Sequence, residues 1–237
     1  MIATKSSAVF CILVVCLLGL PEALTIKSGH WSISEEKGQA TAVNPENGQQ
    51  VQIFKDVNTK SQAAKNNGQW LEESFQMLSI VGSIISYKRV YYAEGGAHPS
   101  YGTEFKSVDL DKGGAAISLR DIFPDRAILD SLLRDKVIKS KISAKPDSLN
   151  ELFELIDGGC ELNLSSLILR SFAFHHVNGG LVAVRIGVGP GCELNRGNFT
   201  QLGIYLPIPS KWANEFNAAV TNGTLMQQLV PAQNKAK

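Results

Sequence analysis

Residues 73–99 read ESFQMLSIVGSIISYKRVYYAEGGAHP, and this stretch decides the fold class of the chain. Its apolar residues are mostly β-branched or aromatic, and they stand among polar residues. That composition is typical of long β-strands. Residues 101–119, YGTEFKSVDLDKGGAAISL, continue the pattern with a further strand and a turn at 111–114. The centre of the chain is therefore predicted to form antiparallel strands.

Two helical patterns follow these strands. Residues 123–141, FPDRAILDSLLRDKVIKSK, place their apolar residues on one face, and Asp125 stands where a cap belongs. Residues 146–159, PDSLNELFELIDGG, predict a second helix that begins with a capping box from Ser148 to Glu151. We expect one helix over each stretch.

The last part of the chain returns to strands. Residues 166–189, SLILRSFAFHHVNGGLVAVRIGVG, predict a hairpin that turns at 178–180. TQLGIYLPIP, residues 200–209, predicts another strand, and a final helix follows from Ser210. Strands without regular crossover helices indicate an α+β fold, with antiparallel sheets and about three helices packed on one side.

The first 24 residues have the pattern of a secretory signal peptide. Lys5 precedes an apolar run over 8–20, and this run is shorter than the roughly 20 residues that a membrane span needs. Cleavage after Ala23 or Thr25 fits the pattern, and an uncleaved N-terminal anchor is the alternative. We therefore expect a periplasmic or secreted protein with no membrane span in its mature chain. Beyond the signal peptide, the sequence suggests a polar N-terminal region over 25–77, an α+β domain over 78–230 and a disordered tail over 231–237.

Loss of the signal peptide would leave Cys160 and Cys192 as the two remaining cysteines. Both lie in the repeated pentapeptide Gly-Cys-Glu-Leu-Asn, next to glycine-rich turns. Two cysteines in an exported chain most simply form one disulfide. Metal binding is the alternative, but two thiols without a neighbouring CxxC or HxxxH partner make a poor zinc site.

The composition disfavours several classes of function. The formal net charge is +1 and the basic residues are dispersed, which argues against a nucleic-acid surface. No GxSxG, P-loop or strand-turn-helix GxGxxG motif occurs, and the sequence predicts no cofactor. His175 and His176 are expected on opposite faces of a strand, with His30 and His98 far away in sequence, so no metal site is predicted.

Two segments are candidates for recognition. The long connection over 189–203 is a predicted contact loop that the disulfide would stiffen, and it supplies the polar residues Glu193, Asn195 and Arg196. A disulfide that serves stability alone is the alternative. The second candidate is the GGAHP turn, in which His98 either contacts a ligand or caps the turn, together with Tyr101.

The region from residue 77 onward resembles a known extracytoplasmic domain, shared by the ectodomains of RsiV-type anti-sigma factors and by PdaC-type peptidoglycan deacetylases. The residues that carry the resemblance are Ser86, Tyr87, Gly96-Ala97-His98-Pro99, Val108-Asp109-Leu110, Gly114 and Leu119-Arg120-Asp121-Ile122-Phe123. The resemblance implies an α+β domain without catalysis of its own. In the anti-sigma branch the domain binds lysozyme and occupies the substrate cleft of the lysozyme. The segment GVGPGCELNRGNFTQLG departs from the family pattern, which puts this partner in doubt.

The sequence therefore predicts an exported binding module of the bacterial envelope that recognises lysozyme or peptidoglycan through loops. The main alternative is a hydrolase of cell-wall glycans, because Glu94, Glu104 and Asp109 flank the turn that carries His98. A structural envelope protein without a partner is a third reading. The sequence indicates no particular oligomeric state.

Overall fold

The computed structural model describes residues 24–95, 98–156, 164–189 and 199–236. Three antiparallel sheets are formed by these residues, and in each sheet the strands follow one another in sequence order. The first sheet contains β1 (Leu24–Ser28), β2 (Trp31–Glu36), β3 (Gln39–Val43) and β4 (Gln50–Lys55). The second contains β5 (Val57–Asn58), β6 (Trp70–Val81), β7 (Ile84–Glu94), β8 (Ser100–Asp109) and β9 (Ala115–Ala116). The third contains β10 (Phe172–Asn178), β11 (Leu181–Val188) and β12 (Thr200–Pro207).

The α-helices lie late in the chain. They are α1 (Asp125–Leu132), α2 (Lys136–Lys141), α3 (Leu149–Ile156), α4 (Ala213–Thr221) and α5 (Met226–Ala236). Apolar residues of α1, α3 and α4 share one large hydrophobic cluster with the inner faces of β10, β11 and β12. The predicted α+β class with antiparallel sheets is confirmed.

The predicted hairpin between β10 and β11 forms around a two-residue turn. Gly179 and Gly180 both have positive φ, +56° and +78°, and Asn178 pairs directly with Leu181. Only glycine adopts two such conformations in succession without steric cost, and this turn matches the twist of the flanking strands. The prediction of a turn at 178–180 is thus confirmed.

The suggested boundary between 77 and 78 falls inside β6. Side chains from both sides of it share one buried cluster, in which Trp31 and Ile33 of the first sheet pack with Met77, Ile80 and Ile85 of the second. The indole of Trp31 also donates a hydrogen bond to the Asp111 carboxylate (2.8 Å). The two parts therefore share a core at this point.

The helix predicted over 123–141 is divided in two. Asp135 accepts hydrogen bonds from the amides of Val137 and Ile138 (2.8 and 3.1 Å), so it caps a new helix, α2. Asp125 is the first residue of α1 rather than its cap, and it pairs with Arg120 (3.1 Å). The predicted capping role of Asp125 was wrong. By contrast, the amide of Glu151 donates to the Ser148 hydroxyl (3.1 Å) at the start of α3, as the sequence predicted.

The C-terminal end of the described chain is also helical. The predicted disorder from residue 231 was wrong, because α5 runs from Met226 to Ala236 and includes Pro231. Leu229 of α5 is buried against Met77 and Ile80, and this packing offsets the main-chain hydrogen bond that proline removes. Within the described residues, no helix has both the length and the apolar character that crossing a bilayer requires.

Candidate functional site

A groove of about 930 Å³ runs along the outer side of β8. We call it the β8 groove. One wall is β8 from Ser100 to Val108, and the other is the 3-10 turn at Ser166–Arg170 with Ser171 and Gly187. Phe199 closes one end, and its ring meets the ring of Phe105 edge to face at 4.9 Å between centroids.

The groove exists because β8 is left without a partner strand along most of its outer side. β9 has two residues and pairs only with Val108 and Asp109. The chain then leaves the sheet, since Ser118 caps a 3-10 turn and exchanges side-chain hydrogen bonds with it in a capping box. No other described strand pairs with β8 between 100 and 107 on this side.

Ion pairs hold the sheet next to the groove. The Arg89 guanidinium contacts the carboxylates of Glu73 and Glu104, with Nε donating to Glu73 at 2.8 Å. Lys106 adds a second cation to Glu104 at 3.0 Å. Burial alone would raise the pKa of Glu104, but the hydrogen bonds and charges of Arg89 and Lys106 outweigh it and lower that pKa. Glu104 is therefore an ionised structural partner, not a general acid.

Three side chains in the groove are available for contact. Tyr101 is 46% exposed, and Leu167, at 69%, is the most exposed large apolar side chain among the described residues. Arg170 is exposed and forms no ion pair or hydrogen bond with another described residue. An aromatic ring, an apolar side chain and a cation without a described counter-charge thus share one groove.

Sequence reasoning missed Leu167 and Arg170. The run SLILR was predicted to be part of a strand, and its apolar residues favour that assignment. Instead it forms a 3-10 turn, in which the Ser165 hydroxyl accepts a hydrogen bond from the Leu167 amide (3.3 Å). Ser165 and Ser166, directly before the apolar residues of the run, were the available signal for such a turn.

The predicted site residues divide as follows. Tyr101 lies in the β8 groove, together with Gly189 and Phe199, which belong to the predicted contact loop. The last four residues of that predicted loop, 200–203, are part of β12 instead. The loop residues Glu193, Asn195 and Arg196, and the cysteines Cys160 and Cys192, lie outside the described residues. Ser165, close to the segment that carries Cys160, lines the same groove.

His98 lies in a separate depression of about 610 Å³, the Trp70 pocket. Glu94 lines this pocket too, and Lys60 sits over the indole of Trp70 at 5.1 Å. Ser100 lines both the pocket and the β8 groove, so the two depressions adjoin there. His98 and Tyr101 are therefore close in sequence but belong to different depressions.

The three carboxylates are not brought into one cleft. Glu104 pairs with Arg89, which precedes Glu94 by five residues along β7, a distance of about 17 Å at about 3.4 Å per residue. Glycoside hydrolases hold their two carboxyl groups roughly 5 to 9.5 Å apart. Asp109 is buried at the end of β8 and accepts a hydrogen bond from the Ser83 hydroxyl (2.7 Å).

His175 and His176 do not point to opposite faces, so that prediction was wrong. A bulge between Phe174 and His176 disrupts the alternation of β10, and the two Nδ1 atoms lie 2.7 Å apart. One ring must donate this hydrogen bond and the other must accept it, so protonation of the accepting Nδ1 is opposed. Burial, then the charges of Arg185 and His176, lowers the pKa of His175. No group of three or more potential metal ligands occurs among the described residues.

Comparison with protein families found no family model that matches the chain, and no curated protein matches it either. The resemblance to the RsiV-type extracytoplasmic domain therefore stays a prediction.

Proposed function

We propose that this protein is an exported binding module of the bacterial envelope and that the β8 groove holds its partner. The observation that carries the proposal is the meeting of Tyr101, Leu167 and Arg170 beside an unpaired strand edge. Exposed aromatic and apolar anchors with a cation are typical of surfaces that bind other molecules. Lysozyme and peptidoglycan are the partners that the sequence resemblance suggests.

The export part of the proposal rests on residues 1–24. Cleavage after Ala23 would leave β1 whole, because that strand begins at Leu24 and pairs with β2 along its length. A single disulfide between Cys160 and Cys192 suits an oxidising compartment. Ser165 and Gly189, described residues within five positions of Cys160 and Cys192, line one groove, which favours this pairing.

Binding is favoured over glycan hydrolysis by the placement of the carboxylates. Glu94 and Glu104 stand too far apart along the sheet to act on one glycosidic bond. Glu104 is also held ionised by Arg89 and Lys106, whereas a general acid needs a raised pKa. A hydrolase would therefore need acidic residues other than these two.

The proposal is tested with the oxidised mature protein and with c-, g- and i-type lysozymes or soluble peptidoglycan fragments as ligands. The test variants are Tyr101→Ala and Arg170→Glu. Each has a matched control elsewhere on the surface, because Tyr205 is 48% exposed and Arg134 is exposed without an ion pair to a described residue.

We expect saturable binding that Tyr101→Ala and Arg170→Glu each weaken at least about tenfold, a loss of about 1.4 kcal/mol. Tyr205→Ala and Arg134→Glu should leave the affinity unchanged. Lytic activity is assayed in parallel, because occupation of the lysozyme cleft would inhibit it. No binding of any of these ligands, or equal losses in test and control variants, would contradict the proposal.

A further inference from the structure

The direction of the main-chain groups on β8 can be read from one hydrogen bond. The amide of Ile117 donates to the carbonyl oxygen of Ser107 (3.0 Å), so Ser107 directs its main-chain groups away from β7. The register between β7 and β8 is continuous from 100 to 109. Because successive residues of a strand direct these groups to opposite edges, Tyr101, Thr103 and Phe105 direct theirs outward as well.

A side-chain contact supports this assignment. Ser86 and Ser107 are cross-strand partners, and their hydroxyl oxygens lie 3.1 Å apart. Antiparallel partners that do not exchange main-chain hydrogen bonds are the pairs with the closer side chains. Ser86 and Ser107 are therefore a pair without main-chain hydrogen bonds between them, which agrees with the outward direction of the Ser107 carbonyl.

Phe105 is buried, so its outward groups are covered. The outward groups of Tyr101 and Thr103 face the β8 groove. Both residues line it, and no described strand pairs with them on that side. An open row of amides and carbonyls is a template for an additional strand. Strand addition draws its affinity from these main-chain groups and its specificity from the side chains beside them.

The charges in the groove indicate which strand would fit. Among the described residues, its charged lining residues are Glu104, Lys106 and Arg170. Glu104 is already paired with Lys106 and with Arg89, so Arg170 supplies the charge that no other described residue compensates. Leu167 and Phe199 provide apolar contacts nearby. The complementary strand alternates apolar with acidic residues.

We infer that the β8 groove binds an extended acidic peptide segment of a partner protein, which adds as a strand to the edge of β8 at Tyr101 and Thr103. This inference rests on the proposed function of the groove and specifies the class of its partner. The segment would exchange main-chain hydrogen bonds with these two residues, and a carboxylate of the segment would pair with Arg170.

The test variant is Thr103→Pro, and the matched control is Thr103→Val. Proline removes the outward amide of 103 without removing a bond to β7, and edge strands tolerate it at such positions. Valine keeps the amide and a similar side-chain shape. The probe is a fluorescein-labelled peptide that alternates valine with glutamate. Its length of about seven residues matches the unpaired edge of β8, with one peptide residue for each strand position.

We expect Thr103→Val to bind this peptide as the native protein does and Thr103→Pro to bind it at least about tenfold more weakly. A peptide that alternates valine with lysine should bind more weakly than the acidic one. Amide hydrogen exchange of Tyr101 and Thr103 should slow when the acidic peptide is added. Exchange that is already slow in the protein alone would contradict the inference, because the edge would then be covered by the chain itself or by a second copy.

A second measurement avoids any effect of proline on folding. Two peptides are N-methylated, one at every valine and one at every glutamate. Strand addition uses the amides of only one of these sets, so one methylated peptide should bind and the other should not. Equal affinity of the two, or no binding of the acidic peptide, would overturn the inference.

Failure of this inference can be told from failure of the proposed function. If glycan fragments or lysozyme bind and Arg170→Glu weakens them, but proline and valine at 103 behave alike, the groove is the site and strand addition is wrong. If no ligand responds to Arg170→Glu, the groove itself is wrong.

Discussion

The main-chain bond between Ile117 and Ser107 marks the point where pairing on the outer edge of β8 stops. Towards the start of the strand, no described strand continues that pairing. The edge lies in a groove rather than on an open surface, because the 3-10 turn at Ser166–Arg170 stands opposite it. The proposed binding rests on this sheltered edge, with which no described strand pairs.

Gly187 is predicted to set the shape of the groove. A Cβ atom at 187 would lie 2.7 Å from Cζ of Phe199 and 2.8 Å from Oγ of Ser171, both of which line the groove. Gly187→Ala should lower the free energy of unfolding by about 1 to 3 kcal/mol, because Phe199 must move from its contact with Phe105. Urea unfolding followed by circular dichroism measures the change. Gly189→Ala is the control, since no atom of a described residue lies within 4 Å of that Cβ; equal stabilities of the two variants would contradict the prediction.

Glu104 should contribute to stability in a pH-dependent way. Its pKa is lowered in the folded protein, so the contribution is full above the ordinary carboxyl value of 4.5 and is lost as pH falls through the lowered value. Glu104→Gln should therefore destabilise the protein at pH 7. In this variant the free energy of unfolding should also decrease less as pH is lowered. Urea unfolding from pH 3 to pH 7 tests this. Glu46→Gln, at an exposed carboxylate, should keep the native profile, and a native profile in Glu104→Gln would count against the assignment.

His175 should also make the stability of the protein decrease as pH falls, but in a higher pH range than Glu104. Its pKa is lowered from 6.5, so folding favours the neutral ring, and the contribution is full above pH 6.5 and declines as pH falls towards the folded value. We expect the melting temperature to decrease below pH 6.5 and His175→Gln to reduce that decrease. An NMR titration of the His175 ring should give a midpoint below 6.5; a midpoint above it would show that the close approach to His176 does not oppose protonation.

The disulfide between Cys160 and Cys192 is expected to stabilise the oxidised protein. It would close a loop of about 30 residues, and the chain-entropy account gives such a loop about 3 to 4 kcal/mol. Thiol titration of the exported protein should find no free thiol. Cys160→Ser should lower the free energy of unfolding by that amount, and reduction should have no further effect on the variant. Two titratable thiols in the exported native protein would exclude the bond.

Local patterns were enough to predict most of the strands. Long stretches of β-branched and aromatic residues gave β6, β7 and β8, and the two glycines after Asn178 gave the hairpin. These features depend on neighbours in sequence. The α+β class followed from them.

The errors arose where contacts distant in sequence, or a single side chain, decide the structure. Asp135 ends one helix and caps the next, although the apolar pattern continues through it. Pro231 lies inside α5 because Leu229 packs against β6. Likewise, the edge position of β8 depends on how soon the chain leaves the sheet after β9, and no residue of β8 signals it. Tyr101 was predicted as a contact residue, but its neighbours Leu167 and Arg170 come from a segment more than 60 positions away in sequence.

The most direct test of the account compares two leucine variants of this protein. The dissociation constant of each variant is measured by titration calorimetry with the lysozyme or peptidoglycan fragment that binds the native protein. Leu167 and Leu181 are both exposed, but only Leu167 lies in the groove. The account predicts that Leu167→Asp weakens binding at least about tenfold, because an apolar contact is lost and the added charge neutralises Arg170, while Leu181→Asp binds as the native protein does. Unchanged affinity in Leu167→Asp, with a native melting temperature, would contradict the claim that the groove is the binding site.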